Sequence, residues 1–174
     1  MRIMREWAMP NKNTFSIKPI NKLVVGVLSS LPQESVIIDP FANNSVLSDY
    51  CTFTNDLDPD CNTTHHMDAL DFLKVFEDSS VGCVLFDPPY SPRQVSECYR
   101  SLDLSVNMQT TQSSFWGNIK KEIARITKQK AVVVTCGWNS GGIGKSHGFT
   151  ITDVLLVAHG GWHNDTIVTV EKKQ

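Results

Sequence analysis

The four residues Asp87-Pro88-Pro89-Tyr90 follow directly on the apolar run 81–86. The two prolines donate no N–H and fix φ, so their carbonyl oxygens can face a ligand from a rigid arm. Asp87 and the Pro88 carbonyl can accept both hydrogens of an exocyclic amine, while Tyr90 stacks on the ring that carries it. This leaves the nitrogen lone pair free to attack a methyl group. The alternative is a turn in which Asp87 caps the loop and Tyr90 packs.

A second segment of interest follows the β-rich run 36–38 and reads Asp39-Pro40-Phe41-Ala42-Asn43-Asn44-Ser45. A strand, a tight turn and a helix N-terminus form the nucleotide-binding corner of many α/β proteins. This turn has Ala42, Asn43 and Asn44 where such corners carry glycines. Asparagine tolerates the left-handed backbone that the turn requires, so a close approach to a ligand remains feasible.

Asp56 and Asp68 are two further acidic residues of interest, each taken together with the residue that follows it. Asp56, followed by Leu57, ends the strand predicted over 52–56, where an acid usually binds ribose hydroxyls. Asp68, followed by Ala69, precedes a predicted helix and can accept a hydrogen bond from an adenine amino group. Asp56 can equally be a turn residue, and Asp68 can equally be the N-cap of its helix.

Together these segments resemble S-adenosylmethionine-dependent amino-methyltransferases of DNA, which act on adenine N6 or cytosine N4, and most closely the small forms encoded by phages and prophages. The upstream run Thr14-Phe15-Ser16-Ile17-Lys18-Pro19 is similar to that family's cofactor segment, and the match covers residues 14–90 in order. The resemblance implies that the catalytic residues are Asp87, Pro88, Pro89 and Tyr90. It implies a cofactor site formed by Thr14, Phe15, Ser16, Lys18, Pro19, Asp39, Pro40, Phe41, Asn43, Ser45, Asp56, Leu57, Asp68 and Ala69.

The expected reaction is therefore methyl transfer from S-adenosylmethionine to an exocyclic amine of a DNA base, with adenine N6 preferred. The base is expected to be flipped out of the duplex or presented on a single strand. Further substrate contacts are expected from Ser91, Arg93 and Trp138, and no metal is needed. Two alternatives stay open: a methyltransferase acting on RNA bases, and a binding module that has lost catalysis.

Short β-rich runs alternate with amphipathic segments along the chain, which predicts a mostly parallel sheet. Strands are predicted over 36–39, 52–56, 81–86, 131–135, 149–158 and 166–170, and helices over 19–29, 43–49, 69–76 and 112–128. The last two strands lie too close together for a helical crossover and should pair antiparallel. The resemblance implies a class I methyltransferase (Rossmann-like) α/β fold, with seven strands and helices on both faces.

The 174 residues are expected to form one domain, 1–174, without a separate target-recognition domain. The net charge of −2 hides an acidic middle, −10 over residues 31–90, between segments of +4 at 1–30 and 91–130. The acidic part suits a cationic cofactor, and the basic parts suit DNA. Segment 1–30 is expected to contact both ligands, and a homodimer would double the basic surface.

The remaining composition argues for an ordinary cytoplasmic protein. No run approaches the roughly 18 apolar residues of a membrane span, and five cysteines without a C-x-x-C pair favour neither disulfides nor zinc. The run from Gly141 to Ser146 resembles a phosphate-binding loop, but Asn139 stands where its first glycine would be. This loop is expected to line the target pocket or to turn the chain.

Overall fold

The computed structural model describes residues 1–102 and 113–174. Its strands are β1 (Arg2–Trp7), β2 (Ile37–Asp39), β3 (Phe53–Thr54), β4 (Val81–Phe86), β5 (Thr127–Gly137), β6 (Phe149–Ala158) and β7 (Thr166–Lys173). They form one seven-stranded sheet in the order β1-β6-β7-β5-β4-β2-β3. Strand β7 runs antiparallel to β5 and β6, and every other pairing is parallel. The predicted mostly parallel sheet and the antiparallel pairing of the last two strands are confirmed.

The seventh strand, β1, was not predicted from the sequence. Its six residues comprise three apolar and three charged types without a regular pattern, and five of them are exposed. Such a strand lacks the continuous apolar run that marks the buried strands β4 and β5. It lies at the edge of the sheet and pairs with β6.

Helices cover both faces of the sheet, as predicted. They are α1 (Lys18–Ser29), α2 (Ala69–Lys74), α3 (Pro92–Ser101) and α4 (Ser113–Ile126). The buried face of α1, with Ile20 and Val24, packs in one core cluster with Leu155 of β6. On the other face, Phe72 of α2 and Ile123 of α4 share a second cluster with the central strands. The predicted start of α4, Gln112, lies outside the described residues.

The helix predicted over 43–49 is wrong, and only a short 3-10 turn at Ser48–Tyr50 is present. Side chains in this segment bond to the local backbone, in competition with a helix. The Asn43 side chain accepts from Asn44 N at 2.6 Å, and Ser45 Oγ accepts from Leu47 N at 3.1 Å. Asn43 also has a φ of 49°, in the left-handed region, so the segment forms a turn rather than a helix.

The glycine-rich loop after β5 turns the chain around a buried carboxylate instead of lining a pocket. Glu171 is fully buried, and its two carboxylate oxygens accept from Ile143 N at 2.6 Å and Gly144 N at 3.0 Å. At Gly142 the φ is +49°, and a Cβ would overlap the Glu171 carboxylate. The resemblance to a phosphate-binding loop thus has a physical basis, because backbone N–H groups do bind an anion there. That anion is the protein's own side chain.

Candidate functional site

A cavity of about 620 Å³ opens where the parallel strands β2, β3 and β4 end. Its walls come from the loops that follow these strands, from the segment 10–17 before α1 and from the β6–β7 connection. Ligand sites of open α/β sheets lie at this carboxyl edge. The volume falls within the roughly 300–1,000 Å³ of small-molecule and cofactor sites.

Asn55 ties together two of the loops that form the cavity. Its side chain is almost fully buried, and Nδ2 donates to Pro40 O at 3.1 Å and to Met67 O at 3.0 Å. Its Oδ1 accepts from Met67 N at 3.1 Å. One amide therefore fixes the turn after β2 against the segment that precedes α2. Sequence reasoning missed it because a buried Asn beside Asp56 has no signature distinct from a turn residue.

Asp56 holds the turn after β2 in place from the neighbouring strand. Its Oδ2 accepts from Asn43 N at 2.8 Å, and its Oδ1 accepts from Asp58 N at 3.0 Å. The bond to Asn43 supports the left-handed backbone at that residue. Asp56 and Asn43 both line the cavity, so the carboxylate that shapes the turn is also presented to a ligand.

Asp39 does not line the cavity, in contrast to the sequence-based expectation. Its side chain is fully buried, with Oδ1 accepting from Phe41 N at 3.0 Å and Oδ2 without a hydrogen-bond partner among the described residues. Burial raises the pKa of Asp39 well above its ordinary value, and the nearby carboxylates of Asp87 and Asp56 add to the rise against the Phe41 hydrogen bond. In the structure, Asp39 fixes the turn after β2 through its hydrogen bond from Phe41 N.

Asp68 is the N-cap of α2, the alternative that the sequence left open. Its Oδ1 accepts from Leu70 N at 2.8 Å, and its Oδ2 accepts from the Tyr99 hydroxyl of α3 at 2.8 Å. The residue nevertheless lines the cavity together with Ala69 and Tyr99. An adenine amino group would therefore share the carboxylate with an existing donor.

The Asp87-Pro88-Pro89-Tyr90 segment follows β4 and lines the cavity with all four residues. The Tyr90 hydroxyl donates to Asp87 Oδ1 at 2.5 Å. The Tyr90 ring meets Trp138 edge-on, with centroids 5.8 Å apart. The tyrosine therefore also binds the Asp87 carboxylate directly, a contact that was not predicted from the sequence.

Two effects act on the Asp87 carboxyl in opposite directions. Burial raises its pKa above the ordinary value, and hydrogen bonds from Tyr90 and Thr14 lower it. The effect of burial is the larger one, so the pKa of Asp87 is raised overall. Thr14 stands 3.5 Å from the Tyr90 hydroxyl, which brings the segment before α1 into contact with the segment after β4.

Most of the predicted site residues meet at this cavity. Those that line it are Thr14, Phe15, Pro40, Phe41, Asn43, Asp56, Leu57, Asp68, Ala69, Asp87, Pro88, Pro89, Tyr90 and Trp138. Those outside its lining are Ser16, Lys18, Pro19, Asp39, Ser45, Ser91 and Arg93.

The residues outside the lining have local structural roles. Ser16 Oγ donates to Asn13 O at 2.7 Å, and Pro19 stands in the first turn of α1 next to Lys18. Ser91 is the N-cap of α3 and accepts from Gln94 N at 3.2 Å. Arg93 is exposed and forms an ion pair with Glu97 at 2.7 Å. Ser16 and Ser91 thus stabilise turns and helix ends next to the site, and Arg93 lies at the surface outside it.

The connection between β6 and β7 also lines the cavity and was missed from the sequence. His159 is buried, with Nδ1 2.8 Å from Ala8 O and Nε2 2.8 Å from Thr166 Oγ1. Because a carbonyl oxygen only accepts, Nδ1 carries the proton. The following Trp162 is fully exposed and lines the same cavity. From the sequence, Trp162 could equally belong to the core or stack on a base, because the Gly160-Gly161-Trp162 turn fixes no direction for the side chain.

The charge of the lining suits a cation. Four carboxylates, those of Asp56, Asp68, Asp87 and Glu97, line the cavity, and Lys12 is the one lysine or arginine among the described lining residues. A sulfonium group would therefore find a favourable potential here. Within residues 1–102 and 113–174, no group of three or more His, Cys, Asp or Glu side chains is arranged to hold a metal ion.

Solved structures share this architecture. The similar chains include a precorrin-6y C5,15-methyltransferase from Geobacter metallireducens GS-15 (TM-score 0.61, 14% identity, 97% of this chain and 95% of that one). They also include a 1,6-didemethyltoxoflavin-N1-methyltransferase from Burkholderia thailandensis with bound S-adenosylhomocysteine (TM-score 0.61, 11% identity, 90% and 77%). The fold is that of a class I methyltransferase.

A third similar structure is TrmN from Thermus thermophilus, at a TM-score of 0.56 and 14% identity. The match covers 91% of this chain and 49% of TrmN, so the chain spans about half of that protein's length. No protein-family model and no curated protein sequence matches the chain. None of the described helices is long and apolar enough to cross a membrane.

Proposed function

We propose that this methyltransferase fold transfers a methyl group from S-adenosylmethionine to the exocyclic amine of a DNA base, with adenine N6 as the preferred target. One observation carries the proposal. The Asp87–Tyr90 segment and the acidic residues Asp56 and Asp68 line a single cavity at the carboxyl edge of the sheet. The sequence places these groups 12 to 31 residues apart, and only the fold brings them to one site.

The residues present fit the proposed cofactor. Its sulfonium group supplies the methyl, and the acidic lining favours that positive charge. Asp56, Asp68 and Ala69 all line the cavity. Asp56 would accept hydrogen bonds from ribose hydroxyls, and Asp68 and Ala69 would lie beside adenine. A similar structure holds S-adenosylhomocysteine, the demethylated product of this cofactor, which supports the choice.

The Asp87–Tyr90 segment would hold the target amine. The Pro88 carbonyl and Asp87 Oδ2 can accept its two hydrogens, since Tyr90 already binds Oδ1 at 2.5 Å. With both hydrogens bound to acceptors, the nitrogen lone pair would stay free to attack the methyl group. The Tyr90 hydroxyl bond favours the ionised form of Asp87, and a negative charge there would stabilise the positive charge that develops on the nitrogen.

Flat aromatic surfaces at the cavity support a planar substrate. Tyr90, Trp138 and Trp162 all line it, and the two tryptophans are 42% and 103% exposed. Exposed aromatic rings bind unstacked bases at about 1–3 kcal/mol each. A base removed from the duplex stack, or one on a single strand, can reach them.

The test separates catalysis from cofactor binding. Tritiated methyl transfer to DNA and calorimetry of S-adenosylmethionine binding are measured on the same Asp87→Ala and Asp87→Asn proteins. Both variants should lose at least about a hundredfold in rate, the scale of one stabilising group at a reacting centre, while the cofactor dissociation constant stays within about twofold. Asp71→Ala serves as control, because Asp71 is an exposed carboxylate paired with Lys74 outside the cavity.

Three results would argue against the proposal in different ways. Near-normal methylation by Asp87→Ala would assign the Asp87–Tyr90 segment to a structural turn. Methylation of RNA but not of DNA would select an RNA base as the substrate. Absent binding of S-adenosylmethionine at millimolar concentration would leave a binding module that has the fold without the reaction.

A further inference from the structure

Strand β1 presents a free edge. It pairs with β6 on one side, and no described strand pairs with its other side. Ala8 N donates to Ala158 O at 3.1 Å, which shows that even-numbered residues here direct their backbone groups toward β6. Because these directions alternate along a strand, the N–H and C=O groups of Ile3, Arg5 and Trp7 point outward.

The odd-numbered side chains along this edge form an exposed row that is apolar except at Arg5. Met1, Ile3, Trp7 and Met9 are 77%, 70%, 64% and 68% exposed. They alternate with Met4 and Ala8, which pack against the core on the α1 side. The odd-numbered row therefore lies on the opposite sheet face, where its ladder neighbours in β6 are only half-buried. An apolar row beside unpaired backbone groups marks an interaction surface.

We propose that a second copy of this chain pairs with β1 in antiparallel orientation and joins the two sheets about a two-fold axis. When the two-fold axis is perpendicular to the sheet, each residue of one β1 lies opposite a residue of the other β1 whose side chain is on the same face of the sheet. Odd-numbered residues therefore face odd-numbered ones, and even-numbered residues face even-numbered ones. The register centred on Met4 then places Arg2 of each copy opposite Glu6 of the other. Centring on Arg5 would instead place two arginines face to face, and like charges opposite one another destabilise a strand pair.

The charges along β1 are available for this pairing. Glu6 and Arg5 make no ion pair with any described residue, and both are exposed. Arg2 uses its Nε for Asp153 at 2.7 Å, so its two terminal nitrogens can still reach a carboxylate. The same register sets Ile3 opposite Arg5 and Met1 opposite Trp7. It pairs the outward backbone groups of the odd-numbered residues and covers part of the apolar row.

Charge reversal at the edge tests both the surface and the register. Sedimentation velocity on the full chain over a range of concentrations should show a dimer. Arg2→Glu and Glu6→Arg should each raise the dimer dissociation constant by about tenfold or more, because each places like charges opposite each other at two positions. An equimolar mixture of the two variants faces unlike charges again and should recover a heterodimer.

The mixture also guards against a folding defect, since misfolded variants would not recover. Lys128→Glu is the matched control, an equal change of charge at an exposed residue distant from β1, and should leave the dimer unchanged. A monomer at every concentration up to about 0.2 mM would overturn the proposal. So would a dimer that both variants leave intact, or a mixture that stays monomeric. None of these results bears on the methyltransferase proposal.

Discussion

Replacing Asn55 by Ala should loosen the cavity and lower the stability of the whole domain. The substitution removes three hydrogen bonds, which join Asn55 to Pro40 and Met67 at 3.0–3.1 Å. At roughly 1 kcal/mol net for each, with buried backbone groups left unpaired, the free energy of unfolding should fall by about 2–4 kcal/mol. With a typical urea slope of about 2 kcal/mol/M, the midpoint should fall by about 1–2 M.

Cofactor affinity should fall with it, because the turn after β2 and the segment before α2 lose their common anchor. We expect the dissociation constant for S-adenosylmethionine to rise about tenfold in calorimetry. Asn55→Asp should be worse than Asn55→Ala, because a buried carboxylate oxygen would face the carbonyl oxygens of Pro40 and Met67. Asn139→Ala is the control: this exposed side chain bonds only to Gly141 N among the described residues, at 2.9 Å, and should cost under about 0.5 kcal/mol. An Asn55→Ala protein as stable as this control would refute the anchoring argument.

Three further predictions follow from single contacts. In urea unfolding, Gly142→Ala should destabilise the protein by more than about 1 kcal/mol, because Gly142 has a positive φ and an added Cβ would overlap a buried carboxylate. Gly26→Ala inside α1, where nothing lies within 4 Å of an added Cβ, should stabilise it by about 0.5–1 kcal/mol. Equal effects of the two variants would contradict the local geometry. Tyr90→Phe removes a hydrogen bond that lowers the pKa of Asp87, so the pKa of Asp87 should rise in this variant. The acid limb of the pH–rate profile should then move to higher pH. An unmoved acid limb would show that ionised Asp87 is not required. DNA affinity should fall steeply with salt, and Lys121→Gln should reduce the log–log slope by about 1 if this exposed lysine meets a phosphate; an unchanged slope would place the DNA elsewhere.

The sequence predicted those features that local chemistry determines. Buried strands such as β4 are continuous apolar runs, and the acidic residues that end β3 and β4 mark the edge where sites form. These motifs were enough to anticipate a site at this edge, and most of the residues named for it line the cavity. The antiparallel end of the sheet followed from a connection too short for a helix.

The features that were missed depend on contacts distant in sequence. The exposed edge strand β1 has no apolar run, and only its pairing with β6 makes it a strand. Asp68 could be a helix cap or a ligand-binding residue, and the Tyr99 hydroxyl bond could not be foreseen from spacing. Asp39 looked like a cofactor contact, yet full burial places it beneath the turn. Polar residues at strand ends thus mark a site without showing which side chains face it.

The most direct test of the central claim is a mass-spectrometric analysis of nucleosides from DNA incubated with the protein and S-adenosylmethionine. We predict N6-methyldeoxyadenosine in digests from the unmodified protein and its near absence with Asp87→Ala. Calorimetry on the same samples should show that both proteins bind the cofactor. DNA without any methylated base, in duplex and single-stranded form alike, from a protein that binds S-adenosylmethionine would contradict the account.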